Sequence, residues 1–516
     1  MDDRKLEVEP HAKFLGVIFD RKLTFKTHIQ EIKKKTTSSM NLLKTVSHFS
    51  WGADRATRLK LYRSLTRPII DYASIVLMSC PNSATKPLQV IQNSALRIAL
   101  GAFRTSPVKS LEVEANEPPT HLRRLYLSMK FIVKLKANAN NPAFNIAHGD
   151  PEVSIYEKNL KVPLPPVLAT LHHIGLAHIP CSNINPLKSL NLPASLIQGV
   201  NVNLSLSTLK KDTTPASVYV SKFNSLKTKL LKKFHNPLEL YTDGSKVPNA
   251  VGAAVISLNQ PELSFSARLD PNMSIMTAEA LAILSAIAMV SHLQNTCALI
   301  FSDSLSCLQQ IQNISQTRFS PYGYLYPIVN QIHQLSNNNV VITLVWIPGH
   351  VGIPGNEAAD KAAKAALNFE TIHNNRIPAP DLFPLIRSYC LKLWQQDWST
   401  MNNHSRSVHT NLPSTFAANI PCRRDERIYT RLRLGHSRLT HSHLIEKNPP
   451  PPCYDCNEQL SIEHILLKCP TIQTERKRFL SNKDGVIPAD ICQLFNTIPA
   501  ASIIKFIKEI GIIDML

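Results

Sequence analysis

The order of hydrophobic patterns between about residues 238 and 367 most restricts the fold that this chain can adopt. Strand-like runs follow one another as LELYTD, GAAVISL, LSFSARL, CALIFSD and VVITLVWIP. Helical spacing occurs in MTAEALAILSAIAMVSHL and SLSCLQQIQ, and in GNEAADKAAKAAL after the last strand. Three strands joined by short turns, followed by strands that alternate with helices, predict a mixed five-stranded sheet covered by helices, an α/β fold.

Acidic residues occupy matching places in these elements. Asp243 and Asp303 end strand-like runs, Glu279 lies in the first turns of a helix, and Asp360 lies on an alanine-rich helix that should pack closely on the sheet. Strand ends and helix starts converge on one edge of such sheets, so the four carboxylates are expected to meet there. Clustered carboxylates need cations, and hard oxygen ligands favour two Mg²⁺ or Mn²⁺ ions about 4 Å apart acting on a phosphodiester.

The charge of the chain favours a polyanionic partner. Lysine and arginine number 57 against 37 aspartate and glutamate residues, which gives a formal net charge of +20. Nucleic acid is the usual partner of such a chain, and an anionic membrane surface is the alternative. The longest apolar run, Ala280 to Val290, is too short to span a bilayer, and the start lacks the apolar core of a signal peptide. A soluble intracellular protein is therefore expected, and the sequence leaves its oligomeric state open.

The motifs YTDGS, TAEALAI, FSDS and WIPGHVGIPGNEAADKAAK, in this order, resemble the type 1 ribonucleases H, specifically those of jockey-like non-LTR retrotransposon polyproteins. The resemblance implies a ribonuclease H fold and hydrolysis of the RNA strand of RNA–DNA hybrids. It also implies that the site consists of four metal-binding acids, a mobile histidine that assists turnover and two residues that contact nucleic acid. These are Asp243, Glu279, Asp303 and Asp360, then His350, then Ser245 and Asn356.

Each motif alone has a simpler explanation. TDGS is usually a turn with an Asx cap, and Glu279 is an ordinary acid favoured near a helix start. Two other functions also stay open. The chain could be a catalytically inert, nucleic-acid-binding remnant of a retrotransposon, or a different metal nuclease on the same fold, such as a transposase or integrase. The histidine loop before Asp360 and the acid in the first helix argue against the latter.

The segments outside this region carry weaker signals. KFLGVIFDRKLTFKTHI and the basic helices after it resemble the end of a non-LTR reverse transcriptase palm and its thumb, without the palm's aromatic-x-Asp-Asp strand. The chain is therefore expected to be the C-terminal remainder of a longer polyprotein. Six segments are predicted: residues 1–137 thumb-like, 138–236 connecting without clear periodicity, 237–370 ribonuclease H, 371–447 helical, 448–475 a CCHC zinc finger and 476–516 a tail.

The cysteines indicate a metal site instead of disulfides. Most of the ten are isolated, but Cys453, Cys456, His464 and Cys469 follow a C-x2-C-x7-H-x4-C pattern that suits a structural tetrahedral Zn²⁺. Similar C-terminal fingers occur in retrotransposons of this kind. Reduced surface cysteines beside an incidental histidine are the alternative, and three more histidines could compete as ligands: His436, His441 and His443.

Overall fold

A computed structural model describes most of the chain in two compact units. The described residues are 9–48, 51–148, 166–171, 173–175, 178–181, 200–209, 214–235, 237–293, 296–317, 323–374, 376–416 and 420–516. The first unit combines Met1–Met129, Ser154–Thr170 and Arg387–Leu516, and the second combines Lys130–Val153 and Leu171–Ile386. Much of the predicted connecting segment, 138–236, lies outside the described residues.

The N-terminal part begins with a hairpin and continues as helices. Strands β1 (His11–Phe14) and β2 (Val17–Asp20) pair in antiparallel fashion. The helices that follow are α1 (Lys26–Thr45), α2 (Arg55–Leu61), α3 (Arg67–Asp71), α4 (Asn82–Leu100), α5 (Val108–Ala115), α6 (Thr120–Lys136) and α7 (Phe144–Ala147). A π-helical turn, Tyr62–Thr66, joins α2 to α3.

The middle of the chain alternates strands and helices. In chain order these elements are α8 (Pro166–Leu171), β3 (Asn201–Asn203), α9 (Ala216–Phe234), β4 (Leu238–Val247), β5 (Ala250–Ile256), β6 (Phe265–Leu269), α10 (Ile275–Val290), β7 (Cys297–Ser302), α11 (Leu305–Thr317), α12 (Tyr326–Ser336), β8 (Val341–Trp346), α13 (Pro354–Ala366) and β9 (Ile372–Asn374).

The C-terminal part is helical. Its elements are α14 (Phe383–Ser399), α15 (His404–Val408), α16 (Arg423–Leu434), α17 (Arg438–His441), α18 (His443–Glu446), a π-helical turn (His464–Lys468), α19 (Gln473–Leu480), α20 (Ile491–Thr497) and α21 (Ala500–Glu509). No helix among the described residues is long and apolar enough to cross a bilayer.

The strands of the second unit form one mixed sheet in the order β3-β8-β7-β4-β5-β6-β9. β4, β5 and β6 are antiparallel neighbours, while β4, β7 and β8 are parallel. The predicted mixed α/β fold is confirmed, and its five strands are all present. The sheet has seven strands instead of five because β3 and β9 add short parallel edges, and each of them has only three residues.

Helices cover the central strands on both faces. Leu240, Ile300 and Leu344 belong to a core that also contains the buried sides of α10, α11 and α12. The neighbouring strand residues point to the opposite face, where Tyr241 and Phe301 belong to a second core with α9 and α13. This alternation fixes the side to which each residue of β4 and β7 points.

The alanine-rich face of α13 packs closely on the sheet, as its sequence predicts. Ala359, Ala363 and Ala366 are fully buried. A Cβ atom on Gly252 of β5 would overlap the carbonyl oxygen of Ala363, and one on Gly355 would overlap the ring of Tyr241. The small side chains therefore let α13 lie directly on β4 and β5, which brings Asp360 near the acids of the sheet.

Candidate metal-dependent active site

Three of the predicted acids meet at one edge of the sheet. Thr242 of β4 pairs with Ser302 of the parallel strand β7, so Asp243 and Asp303 are neighbours. Asp303 follows the end of β7 as expected, but Asp243 lies within β4, which continues to Val247 because it pairs with β5. Glu279 approaches from α10. One carboxylate oxygen from each of Asp243, Glu279 and Asp303 lies within 4.8 Å of the others. The structure thus brings three carboxylates to a single point.

Two features of the sequence position Glu279. A Cβ atom on Gly244 would lie 2.9 Å from the backbone nitrogen of Glu279, so a glycine is needed there for α10 to approach β4. Ser274 caps the start of α10, and the carboxylate of Asp381 accepts hydrogen bonds from the Ser274 amide (2.8 Å) and the Thr277 hydroxyl (2.6 Å). Sequence reasoning missed Asp381 because its contact partners are about a hundred residues earlier in the chain.

The acids are buried without enough positive charge to neutralise them. Asp243 is 5% exposed and Glu279 6%. Burial, followed by the charges of Asp303 and Asp360, raises the pKa of Asp243 to about 8. Burial and the charge of Asp243 raise the pKa of Glu279 well above its usual value. The Oε2 atom of Glu279 is buried and makes no hydrogen bond with the described residues. An orphaned oxygen among crowded carboxylates fits a site for hard divalent cations.

Asp360 belongs to a neighbouring group on α13. Its Oδ2 accepts a hydrogen bond from Lys364 at 2.7 Å, one turn further along the helix. Ligand atoms of Asp360, Glu357 and His350 lie within 4.8 Å of one another. The charge of Asp360 also helps to raise the pKa of Asp243, so Asp360 lies near both the three-acid cluster and the histidine loop. Glu357 was missed from sequence, although its spacing of three residues from Asp360 places both on one side of the helix.

The histidine loop connects β8 to α13. His350 is exposed and has a φ of 60°, and Gly352 has a φ of +87°. The Gly352 amide donates a hydrogen bond to Glu357 Oε1 at 3.2 Å. A Cβ atom on Gly349 would overlap the carboxylate of Asp303. The loop thus passes directly beside the acid cluster and exposes its imidazole there.

The two expected nucleic-acid contacts lie in different surroundings. Ser245 is half-buried on β4, two residues after Asp243. Asn356 is only 1% exposed, and its side-chain amide is 3.5 Å from Asp303 Oδ2, to which it donates a weak hydrogen bond. This burial leaves almost none of Asn356 for the nucleic-acid contact that the resemblance implies. Its amide instead faces the carboxylate of Asp303.

Comparison with protein families supplies the deciding observation, because the family model described as RNase H matches residues 235–368. These residues are an RNase H domain. The chain is also 25% identical over 133 residues to a 115 kDa protein in the type-1 retrotransposable element R1DM of Drosophila melanogaster. Both findings confirm the resemblance to a retrotransposon RNase H domain. The alignment covers 25% of this chain and only 13% of that relative's length.

The cysteine cluster lies outside the RNase H domain, in the C-terminal part of the first unit. Ligand atoms of all four expected residues lie within 4.8 Å of one another: Cys453, Cys456, His464 and Cys469. Cys456 Sγ is 3.3 Å from His464 Nε2, and Glu458 Oε2 is 3.1 Å from His464 Nδ1. A carboxylate on the far nitrogen is the usual way to orient a metal-binding imidazole, so the set fits a tetrahedral Zn²⁺.

The competing histidines lie elsewhere. The rings of His436 and His441 stack with their centroids 3.6 Å apart, and His443 is 5.8 Å from His441. None of the three joins the cysteine cluster in the part of the chain that the structure describes. His464 is therefore the histidine of that cluster, as the spacing predicts.

Proposed function

We propose that this chain is a metal-dependent endonuclease that hydrolyses the RNA strand of RNA–DNA hybrids. The observation that carries the proposal is the convergence of three carboxylates in an RNase H domain; two of them, Asp243 and Glu279, are buried with raised pKa values, and Glu279 has an oxygen that is unpaired among the described residues. Such a cluster costs stability unless cations bind there. The cost is explained if the acids serve a reaction on phosphodiesters.

The ligands we propose for two Mg²⁺ or Mn²⁺ ions are Asp243, Glu279, Asp303 and Asp360. When bound, the ions would supply activation of a water molecule and stabilisation of the charge on the leaving oxygen. Asn356 keeps the Asp303 carboxylate oriented, because its amide lies against one of the two oxygens.

His350 is proposed to move protons or assist product release from its exposed loop. Its imidazole lies beside Asp360 and Glu357 and faces solvent. Ser245, half-exposed on the strand of Asp243, is proposed to contact the nucleic-acid backbone. Both side chains are at least partly accessible to solvent.

The wider context is proposed from the relative in the R1DM element. The domain would belong to a retrotransposon-derived reverse transcriptase polyprotein and remove template RNA after copying. Residues 1–137 are proposed to be the thumb-like remnant of that enzyme, and the cluster in residues 448–475 to be a structural zinc finger.

The test is incubation of the purified chain with labelled RNA–DNA hybrid, duplex DNA and duplex RNA, with Mg²⁺ or with chelator. Cleavage is expected only in the RNA strand of the hybrid and only with the divalent ion. Equal cleavage in chelator, or a preference for duplex DNA, contradicts the proposal. Binding of the hybrid without any cleavage would favour the inert remnant instead.

A further inference from the structure

Helix α9 is fixed to the RNase H sheet although it precedes the domain's first strand. Phe223 and Leu230 are buried in the core that contains Tyr241 and Phe301. The rings of Phe223 and Phe301 meet edge to face with centroids 5.5 Å apart. An aromatic pair of this geometry, together with the burial of both side chains, holds the helix in one position on the sheet.

An ion pair ties the same helix to the strand of Asp243. Lys227 Nζ lies 2.5 Å from Glu239 Oε2, and Glu239 is buried. Glu239, Tyr241 and Asp243 alternate along β4 and point to the same face. Four residues of strand span about 13 Å, so the anchor of the helix lies that far along β4 from the acid cluster.

One exposed flank of α9, about 80° around the helix from its buried side, carries a row of lysines. Lys222, Lys229 and Lys233 are exposed and fall within an arc of about 40° along about 16 Å of helix. The helix contains no acidic residue, and none of the three lysines has an acidic partner among the described residues. Exposed Lys232 lies beside this row. Positive charge without local compensation is thus concentrated on one surface, which we call the α9 lysine row (Lys222, Lys229 and Lys233).

We propose that the α9 lysine row binds the phosphate backbone of a nucleic-acid duplex and extends the grip of the RNase H domain beyond its active site. Lysines spaced along one line suit the regularly spaced phosphates of a duplex, and neutralising them releases counterions. Because a rigid helix carries the lysines, their position relative to the acids does not depend on a flexible linker. The proposal rests on the proposed function for the identity of the duplex, an RNA–DNA hybrid.

The test compares the full chain with a Lys222→Gln, Lys229→Gln, Lys233→Gln variant. The matched control is Lys477→Gln, Lys483→Gln, Lys505→Gln, which removes the same charge from exposed lysines of the first unit. Affinity for a labelled hybrid is measured in chelator over a series of salt concentrations, so that the result does not depend on cleavage. The α9 variant should bind on the order of tenfold more weakly, and its salt slope should fall by about 0.9 per lysine. The control should stay near wild type.

Measurements of cleavage with Mg²⁺ and of binding to lipid vesicles separate the possible outcomes. With Mg²⁺, the α9 variant should show a raised KM for the hybrid. Unchanged affinity and salt slope, or an equal loss in the control, overturns the proposal, as does a loss that affects only binding to anionic lipid vesicles. If wild type fails to cleave the hybrid while the α9 variant still loses duplex binding, the proposed function fails and the lysine row stands.

Discussion

At the scale of single residues, substituting an acid and substituting the histidine should reduce hybrid cleavage by different amounts. Asp303→Asn removes a charge from the buried cluster, so cleavage of the hybrid should fall by several orders of magnitude. His350→Ala should slow cleavage on the order of a hundredfold or less, because the acids and the attacking water remain. Initial rates with Mg²⁺ measure both effects.

A matched control for these rates is Glu370→Gln, which removes an exposed carboxylate just after the same domain. It should leave cleavage unchanged. An Asp303→Asn variant with near-normal activity, or a His350→Ala variant as inactive as Asp303→Asn, would show that the roles are assigned wrongly.

Substitution of Asp243 should also show how much stability the crowded acids cost the fold in the absence of metal. The raised pKa of Asp243 shows that the folded state disfavours its charge. Asp243→Asn should therefore raise the free energy of unfolding in chelator by about 0.5–2 kcal/mol, and with it the thermal midpoint. Mg²⁺ should raise the midpoint of wild type, because it binds only the folded site, and should raise that of the variant much less. Calorimetry with and without Mg²⁺ measures both. A variant less stable than wild type in chelator would argue against a functional cost.

At the scale of elements, the zinc cluster gives the sharpest prediction. The segment between its ligands buries Ile462, Ile465 and Leu466 in the C-terminal core, so the metal should hold this part of the fold together. Protein purified without chelator should contain about one Zn²⁺ per chain by elemental analysis. Cys469→Ser should lose the metal and lower the thermal midpoint. The control Cys422→Ser, which changes an exposed cysteine outside the cluster, should keep the metal. Wild-type protein without zinc would contradict the proposed zinc finger.

Local patterns predicted β4 to β8 and helices α10, α11 and α13, because each is long enough to show its period. Helix α12, between α11 and β8, was missed. Asp243 and Asp303 were predictable as a pair, since each follows the apolar run of one of two adjacent parallel strands, although β4 continues past Asp243 by pairing with β5. Strands β3 and β9 were not predictable from sequence, because three residues are too few to show a period. They exist as strands only because they pair with β8 and β6. Helix α9 was missed within a proline- and asparagine-rich segment, although Tyr219, Phe223 and Leu230 do follow helical spacing.

Contacts between distant parts of the chain explain the remaining differences. The deep burial of Asn356 depends on how closely α13 packs on the sheet, and no motif shows that depth. Asp381 reaches the start of α10 only in the folded domain. Such residues support the site through tertiary contacts, so a motif located the acids but not the groups that position them.

At the scale of the whole molecule, the first unit joins both ends of the chain through buried charge. Glu114 of α5 is fully buried and accepts hydrogen bonds from Arg433 (3.2 Å) and from His409 Nε2 (2.6 Å), with Arg55 at 3.5 Å. Leu434 of α16 packs among residues of α1, α2, α4 and α5 in one core. Residues more than 300 positions apart thus depend on one carboxylate.

The contribution of the Glu114 carboxylate to stability should be visible in the pH dependence of unfolding. Burial alone would raise the pKa of Glu114, but Arg433, His409 and Arg55 outweigh it and lower the pKa to about 2. A carboxylate whose pKa is lower in the folded state stabilises the fold above its unfolded pKa, and that stabilisation is lost as pH falls towards about 2.

Glu114→Gln leaves buried arginines without their counterion and should cost roughly 3–5 kcal/mol at neutral pH. The difference from wild type, measured by denaturant unfolding from pH 7 to pH 3, should shrink below about pH 4.5, where the carboxylate begins to protonate in unfolded wild-type chains. A difference that stays constant over this range would mean that Glu114 acts through packing and not through its charge.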